Sequence, residues 1–525
     1  MNATIEPERD RRYRLRWWTL AVLSVSLMII IADDTIINVA LPTLQRAFGG
    51  SASSLQWVVD AYILAFGGLL LTMGTLGDRF GRRRLLQAGL LLFGAASLYG
   101  AHAASTAELV LARAAMGVGG AMIMPATLSI LVEVFPRHER VRAIGIWAAI
   151  AHLGIPLGPV VGGWLVEHAW WGSVLLINVP IVALALVAGR FLVPESRHSG
   201  PRRLDLGGMV ASTAALVALV YAIIEGPSSG WSSPQVLGGF ALALLAGAWF
   251  ARHERRAGEP MLDLRLFADP RLRWGLVAIT VAIFTLAGLM FNLTQLLQLV
   301  QGWSPLGAGV RIVPLVLGFA VAAHLGQHLV SHLGTGRAAA IGFLAGAALL
   351  AGVAKAGPGA AYPLLGFGLF LLGIALGVVF IPSTDAVMAA VPGGSAGLGA
   401  GLNDTSRQVG AALGVAVLGS FTNAVYAARL GSPAAGIEPG LLAQARRSVA
   451  AAVQLAATGG ETGRPLAAAA RSAFTSGFSL AALLGAVLLA VTGVLVWRGL
   501  PATDLPGGER SPAPHAHECE TSLTR

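Results

Sequence analysis

Apolar runs of about membrane-crossing length, separated by short charged or glycine-rich stretches, recur along nearly the whole of the 525-residue chain. Windows of roughly 20 residues place a first group of six spans at 17–39, 55–74, 85–104, 109–131, 141–166 and 174–193. Two more, at 206–224 and 236–250, lead into a charged connector at 252–273. Six others follow at 274–299, 308–330, 338–354, 362–391, 400–426 and 474–497. The pattern predicts an all-α polytopic membrane protein with fourteen transmembrane helices, in which two pseudo-repeated six-helix bundles flank an inserted helix pair. The chain then divides into an N-terminal tail (1–16), an N-terminal bundle (17–193), the inserted pair with its connectors (194–273), a C-terminal bundle (274–497) and a C-terminal tail (498–525). Within the second bundle, 429–473 reads as a long external loop, whose Leu441-Leu442-x-x-Ala445 and Val449-x-x-x-Val453 spacing suggests a helix lying on the outer surface.

Composition agrees with this pattern. The chain is 55% hydrophobic and only 12% charged, with a mean hydropathy of +0.71, far outside the range of a soluble domain. The net charge of +10 does not point to nucleic acid, because the basic residues sit in short loops between spans and form no domain with interleaved aromatics. Their distribution is topological. Arginines precede the first span and fill the even-numbered loops, which predicts a multi-pass cell-membrane protein with both termini cytoplasmic. The N-terminal apolar run leads into Asp33-Asp34 without a small-x-small cleavage site, so it is expected to remain as a span and not to be a secretory leader. The single cysteine, Cys519, permits no intramolecular disulfide and no cysteine metal site. No nucleotide-binding loop, metal-ligand cluster or nucleophile constellation suggests an enzyme, and no cofactor is expected.

The most charged and glycine-rich stretch between spans is Gly74-Thr75-Leu76-Gly77-Asp78-Arg79-Phe80-Gly81-Arg82-Arg83-Arg84. It reads as a short turn clamping two helices at one membrane face: Asp78 meets a helix N-terminus or an arginine, and the glycines allow close backbone approach. Gly74, Leu76, Asp78, Arg79, Gly81, Arg82 and Arg83 complete the signature G-x-L-x-D-R-x-G-R-R, and here the chain resembles the major facilitator superfamily. A worn copy at 326–337 is expected to keep the turn but not the charge clamp. In the fifth span Gly154, Gly158 and Gly162 recur every four residues and offer one face for close helix packing. With Pro159 and Gly163 they resemble the antiporter motif G-x-x-x-G-P-x-x-G-G of the superfamily's exporters, which implies export by exchange.

Arg113 lies several residues inside the fourth span and needs a partner or water. Its surroundings resemble a family motif implicated in proton transfer. The first span reads Ala32-Asp33-Asp34-Thr35-Ile36-Ile37-Asn38-Val39-Ala40-Leu41-Pro42, similar to the L-D-x-T-I-V-N-V-A-L-P signature of fourteen-span drug:proton antiporters. The motif favours Asp33 as the proton carrier, whereas Asp34 shares a helical stripe with Asn38; the two side chains point about 100° apart, so both are not expected in one cavity. Asp60, on the second span, suits either helix-end capping or proton relay. Asp385 on the twelfth span, with Asn403 and Arg407 on the thirteenth, forms a polar pair whose simplest reading is a structural ion pair. Glu225 reads as a solvated helix end. The loop after the fifth span departs from the family pattern, with Trp171-Gly172-Ser173 ahead of Ile177-Asn178-Val179-Pro180, which weakens any role for it.

The resemblance implies a proton-coupled antiporter of drug-like amphipathic small molecules, surrounded by lipid, needing no nucleic acid and working as a monomer. The alternative is a dedicated exporter of an endogenous lipid or secondary metabolite, and a receptor or membrane enzyme on the same scaffold ranks lower.

Overall fold

The computed structural model describes residues 6–196, 205–257, 262, 264–356, 362–391, 396–430, 439–458 and 460–500; Cys519 and the rest of the C-terminal tail lie outside them. The first half comprises α1 (Glu6–Phe48), α2 (Ala52–Phe80), α3 (Arg82–Ala101) and α4 (Thr106–Val134), then a fifth span broken into α5 (Arg137–His152) and α6 (Gly154–His168). Its sixth span is the single turn α7 (Ser173–Leu176) continued by α8 (Asn178–Leu192). The inserted pair is α9 (Leu206–Ser229) and α10 (Pro234–Glu254). In the second half, α11 (Pro270–Gln295) runs into a π-helical turn at Leu296–Val300 and is followed by α12 (Pro305–Leu333), α13 (Thr335–Ala356), α14 (Tyr362–Ala390) and α15 (Ala396–Leu430). Two short helices, α16 (Pro439–Arg447) and α17 (Val449–Thr458), precede the last span α18 (Gly460–Gly499).

Among the described residues, thirteen helical stretches are long and apolar enough to cross a membrane. The sequence pattern expects fourteen; the helix α3, which opens on three arginines, stands third in the series and is not one of the thirteen. Many helices start on short polar caps. The side chains of Ser51, Ser105, Ser233 and Ser304 each accept a backbone N–H at the start of their helix, satisfying donors that the first turn leaves without an intrahelical partner.

Three boundaries differ from the sequence reading. Residues 74–80 continue α2 as helix, so the expected eleven-residue turn contracts to Gly81 alone, at φ 111°. Nothing before Gly81 breaks the helix, since glycine tolerates helical geometry and the segment contains no proline. The worn copy behaves alike: Gly334, at φ 82°, separates α12 from α13. Within the segment expected as a loop at 429–473, α18 already begins at Gly460, with Arg464 and Arg471 exposed. Finally, α16 and α17 do not lie free on a surface. Ala445, Val449, Ala450 and Ala452 join the core of the second half, and the Tyr426 hydroxyl donates to Ala445 O at 2.8 Å.

Two apolar cores form, the first built chiefly on α1–α4 with α8 and joined by Phe291 of α11 and Ala411, Ala412, Val415 and Ala416 of α15, the second on α11–α15 with α18. The inserted α9 leans on α2, where Thr213 donates to Gly68 O at 3.2 Å. Glu225, read from sequence as a solvated end, instead accepts from Trp57 Nε1 at 3.3 Å and ties α9 to α2. The outer member α10 packs on α9 and leaves Leu237, Leu242, Leu244 and Leu245 exposed, as a helix facing lipid should. At the base of the pair, Asp205 caps Gly208 N at 2.8 Å and meets His253 Nε2 at 2.8 Å. Burial pushes the Asp205 carboxyl up, but those two bonds outweigh it and hold the group below the ordinary carboxylate value.

Gly81 tests how tightly the turn is specified. An added Cβ there would sit 2.6 Å from Glu195 Oε1 as well as at positive φ. Gly81→Ala should therefore cost on the order of 1–3 kcal/mol and lower the melting temperature of the purified protein. Gly145→Ala, in a helix with nothing within 4 Å, should match or exceed wild type; equal melting of wild type and Gly81→Ala would refute the constraint.

Candidate functional site

Arg113 on α4 is fully buried. Its Nη1 forms an ion pair with Asp33 Oδ2, its Nε donates to Val58 O at 3.0 Å, and its guanidinium carbon lies 4.3 Å from the centre of the Tyr62 ring. The other oxygen of Asp33, itself buried, accepts from Asn178 Nδ2 at 2.8 Å, and Asn178 also reaches Ser97 Oγ at 3.3 Å. Four helices, α1, α3, α4 and α8, thus contribute to one polar knot, with α2 supplying a carbonyl and a ring. Such a charge survives in a membrane interior only when paired and hydrogen-bonded.

Glycine packing brings these helices within reach. A Cβ on Gly119 would lie 2.9 Å from Gly89 O, so α4 presses against α3. On the fifth span, Cβ atoms on Gly154 and Gly158 would lie 2.7 Å from Met28 O and from Ala32 O, and one on Gly162 would strike Ile36. The glycine face of α6 therefore packs on the stretch of α1 that carries Asp33 and Asp34. Gly163 and Pro159 point the other way, to the second half: a Cβ on Gly163 would meet Pro305 O at 2.6 Å, and Pro159 O abuts Gly309.

Asp34 turns away from Asp33 into a cavity of about 160 Å³ between the two halves. The lining is mainly aliphatic and aromatic, with Ile63, Ile155, Met290, Leu315 and Phe319, and its polar groups include Asn38 and Arg407. Met290 brings a thioether to the lining, whereas Phe66, Met116 and Phe291 are packed in the core of the first half. Asp60 is wholly buried and both its carboxylate oxygens lack a hydrogen-bond partner among the described residues; it does not line the cavity.

The structure does not bring Asp385 and Arg407 together. Asp385 is exposed on α14, while Arg407 on α15 faces the cavity with its guanidinium 5.5 Å from the Phe380 ring centre. Asn403 accepts from Thr384 Oγ1 at 3.2 Å. Further along α15, Gly410 and Gly414 press against Thr280 O and Phe284 O of α11, so the polar stripe is a packing face as much as a site.

At the arginine-rich face, the turn after α2 is clamped from two sides. Arg82 Nη1 lies 3.0 Å from Glu133 Oε2 on α4. Arg83 N donates to Glu195 Oε1 at 3.2 Å, and Arg83 and Arg84 both lie within 4 Å of the Glu195 carboxylate. Gly74 approaches Pro125 at an ordinary 3.7 Å, and Arg79 is exposed over Phe80. The Asp78 side chain lies outside the described residues. Toward the opposite face the halves are bonded to each other: Gln56 Nε2 donates to Val415 O at 3.0 Å and Ala416 O at 3.1 Å, and Gln298 Nε2 donates to Val39 O at 2.9 Å. Asn178, Glu133, Glu195, Gln56 and Gln298 are the residues that sequence reasoning missed. Glu133 and Glu195, acids at the ends of the fourth and sixth spans on the arginine-rich face, carry a signal that charge complementarity could have found.

Two helix bundles in a membrane, a cavity between them and a buried charged pair at its edge define a polytopic small-molecule transporter. Residues 23–415 match the Major Facilitator Superfamily, and the chain belongs to that family, whose members are transporters and not enzymes. It is 33% identical to the tetracenomycin C resistance and export protein of Streptomyces glaucescens, over 95% of this chain and 94% of that protein. It is 36% identical to the multidrug efflux pump LfrA of Mycolicibacterium smegmatis, over 94% and 99% respectively. Among solved structures, a bacterial homologue of the human lysosomal transporter Spinster, inward-facing and unoccupied, aligns with a TM-score of 0.66 at 18% identity, covering 93% of this chain and 98% of that one; this likeness concerns the fold alone.

The knot makes a prediction independent of transport. Asn178→Ala would leave a buried oxygen of Asp33 without its donor, at a cost of about 1–3 kcal/mol, and should lower the melting temperature of the detergent-solubilised protein. An unchanged melting curve would mean that Asn178 does not hold Asp33.

Proposed function

We propose that this chain is a proton-coupled antiporter that expels drug-like, amphipathic small molecules across the cytoplasmic membrane by alternating access. The observation that carries this reading is the Asp33–Arg113 pair, buried on the same turn of α1 whose next residue, Asp34, lines the inter-bundle cavity. Proton chemistry and substrate are thereby one residue apart on one helix. The names of the relatives, resistance and export proteins and an efflux pump, support the direction of transport.

In the proposed cycle, a proton reaching Asp33 removes the negative charge that holds Arg113. The guanidinium is then left without its counter-ion in a dry site, and the two helices separate to find other partners. Substrate in the cavity favours the state in which the proton has left and the pair has re-formed, so expulsion and proton entry are opposite halves of one exchange. Gln56 and Gln298 act as latches that open when the bundles rock. The glycine face of α6 is the bearing against which α1 moves, and the Arg82–Glu133 and Arg83–Glu195 contacts hold the other end of the first bundle. In this reading the arginine-rich face and both termini are cytoplasmic, which the positive loops support, and the exposed apolar residues of α10 face lipid around a monomer. The relative that exports tetracenomycin C favours a second reading, in which the cavity serves a single secondary metabolite.

Inside-out vesicles with an acid lumen test the exchange. Adding an exported compound should raise lumenal pH with the wild-type protein. Asp33→Asn and Arg113→Ala should abolish that response at matched expression, and Gly158→Leu, whose side chain would collide with Thr35 and Ala32 O of α1, should abolish it while the protein remains folded. Wild-type exchange by Asp33→Asn would remove the coupling role from this pair.

A further inference from the structure

The cavity carries two charges of opposite sign that the proposed coupling does not use. Asp34 comes from α1 in the first half and Arg407 from α15 in the second, and both side chains line the same space. Neither forms an ion pair among the described residues, whereas the neighbouring acid Asp33 is committed to Arg113 and Asn178. Asp404, one turn before Arg407 on α15, is not part of the lining. The rest of the lining is mainly apolar, with Ile63, Met290, Leu315 and Phe319, alongside Thr35, Asn38 and Thr294. In so dry a space, a carboxylate and a guanidinium left apart from one another gain most from a molecule that brings a counter-charge to each.

We propose that the cavity is a two-charge recognition site for amphipathic zwitterions, with Asp34 receiving a protonated amine, Arg407 receiving a carboxylate of the same molecule, and the apolar walls holding the ring system between them. The proposal rests on the export reading and adds the substrate class to it. It also gives the two acids on α1 different roles, Asp33 coupling and Asp34 selecting. Because the two charges belong to different halves, a molecule bearing both joins the halves when it binds, whereas a singly charged molecule engages one half only. Selectivity then arises from a geometric match of charge separation as well as from charge itself.

Three probes of one scaffold decide the matter: a fluorescent aryl-piperazine carboxylic acid, which is a zwitterion; its methyl ester, a cation; and its N-acetyl derivative, an anion. Equilibrium binding is measured by fluorescence on the purified full-length protein, and transport in energised inside-out vesicles. Wild type should bind the zwitterion about tenfold or more tightly than either singly charged probe, the size expected for one charged hydrogen-bonded contact. Asp34→Asn should weaken the zwitterion and the ester but spare the N-acetyl probe, and Arg407→Gln should weaken the zwitterion and the N-acetyl probe but spare the ester. Asp34→Glu and Arg407→Lys, which keep the charges, should restore much of each loss. The wild-type ranking of the three probes needs no variant, so it stands as a test even if a substitution fails to fold. Equal affinity of wild type for the three probes, a uniform loss of all three in both variants, or unchanged binding with abolished proton movement in Asp34→Asn would each overturn the proposal. If the ester is transported against its gradient while the ranking fails, export survives and only the two-charge site falls. If the wild-type protein neither binds nor transports any probe, both fall together.

Discussion

A guanidinium in the interior of a membrane bundle governs how the first half is built. Leaving Arg113 unpaired there would cost several kcal/mol, so the surrounding helices are arranged to supply a carboxylate, a backbone carbonyl and an aromatic face at once. Asp33 can serve only because α1 is drawn close by the glycine face of α6, and it stays in place because Asn178 occupies its second oxygen. Remove any one of these and a charge is stranded where no water can reach it. Nearby glycines, Gly119 on α4 and the row on α6, mark the places where side chains would have forced the helices apart.

The same arrangement explains why the central cavity lies where it does. The helix α1 presents one acid to the knot and, about 100° around its axis, the next acid to the space between the bundles. Close packing of α6 against both α1 and α12 sets one wall, and α11 and α15, pressed together at Gly288 and Gly414, set another. Each half carries most of its own core, but Phe291 of α11 and Ala411, Ala412, Val415 and Ala416 of α15 pack into the core of the first half, beside the hydrogen bonds from Gln56 and Gln298. Rocking the halves apart has to release this apolar contact as well as those hydrogen bonds.

Much of this was legible in the sequence, for a physical reason: the bilayer fixes helix length, so apolar runs of about 20 residues identify spans directly. Their ends were less legible, because helices such as α1 and α18 continue past the apolar stretch into charged segments where lipid no longer dictates composition. The glycine-rich stretch at 74–84 looked like a long turn, yet helix geometry persists until one residue at positive φ ends it. In the site, Asp33 and Arg113 stood out because each is costly in an apolar helix. Asn178 and Gln56 did not, since an amide in a span becomes meaningful only once its neighbour across the bundle is known. Helical spacing correctly put Asp34 on a different face from Asp33. It could not reveal that Arg407 faces the cavity between the halves instead of Asp385.

The account's central claim is that the state of the Asp33–Arg113 pair changes when a transported compound binds. Difference infrared spectroscopy on the purified protein reads this directly, through the carboxyl C=O band of protonated acids recorded before and after addition of compound at fixed pH. The account predicts that the band loses intensity in the wild-type protein as Asp33 gives up its proton and closes on Arg113, and that this change is missing from Asp33→Asn. The same loss of intensity in Asp33→Asn would contradict it and move the coupling proton to another acid.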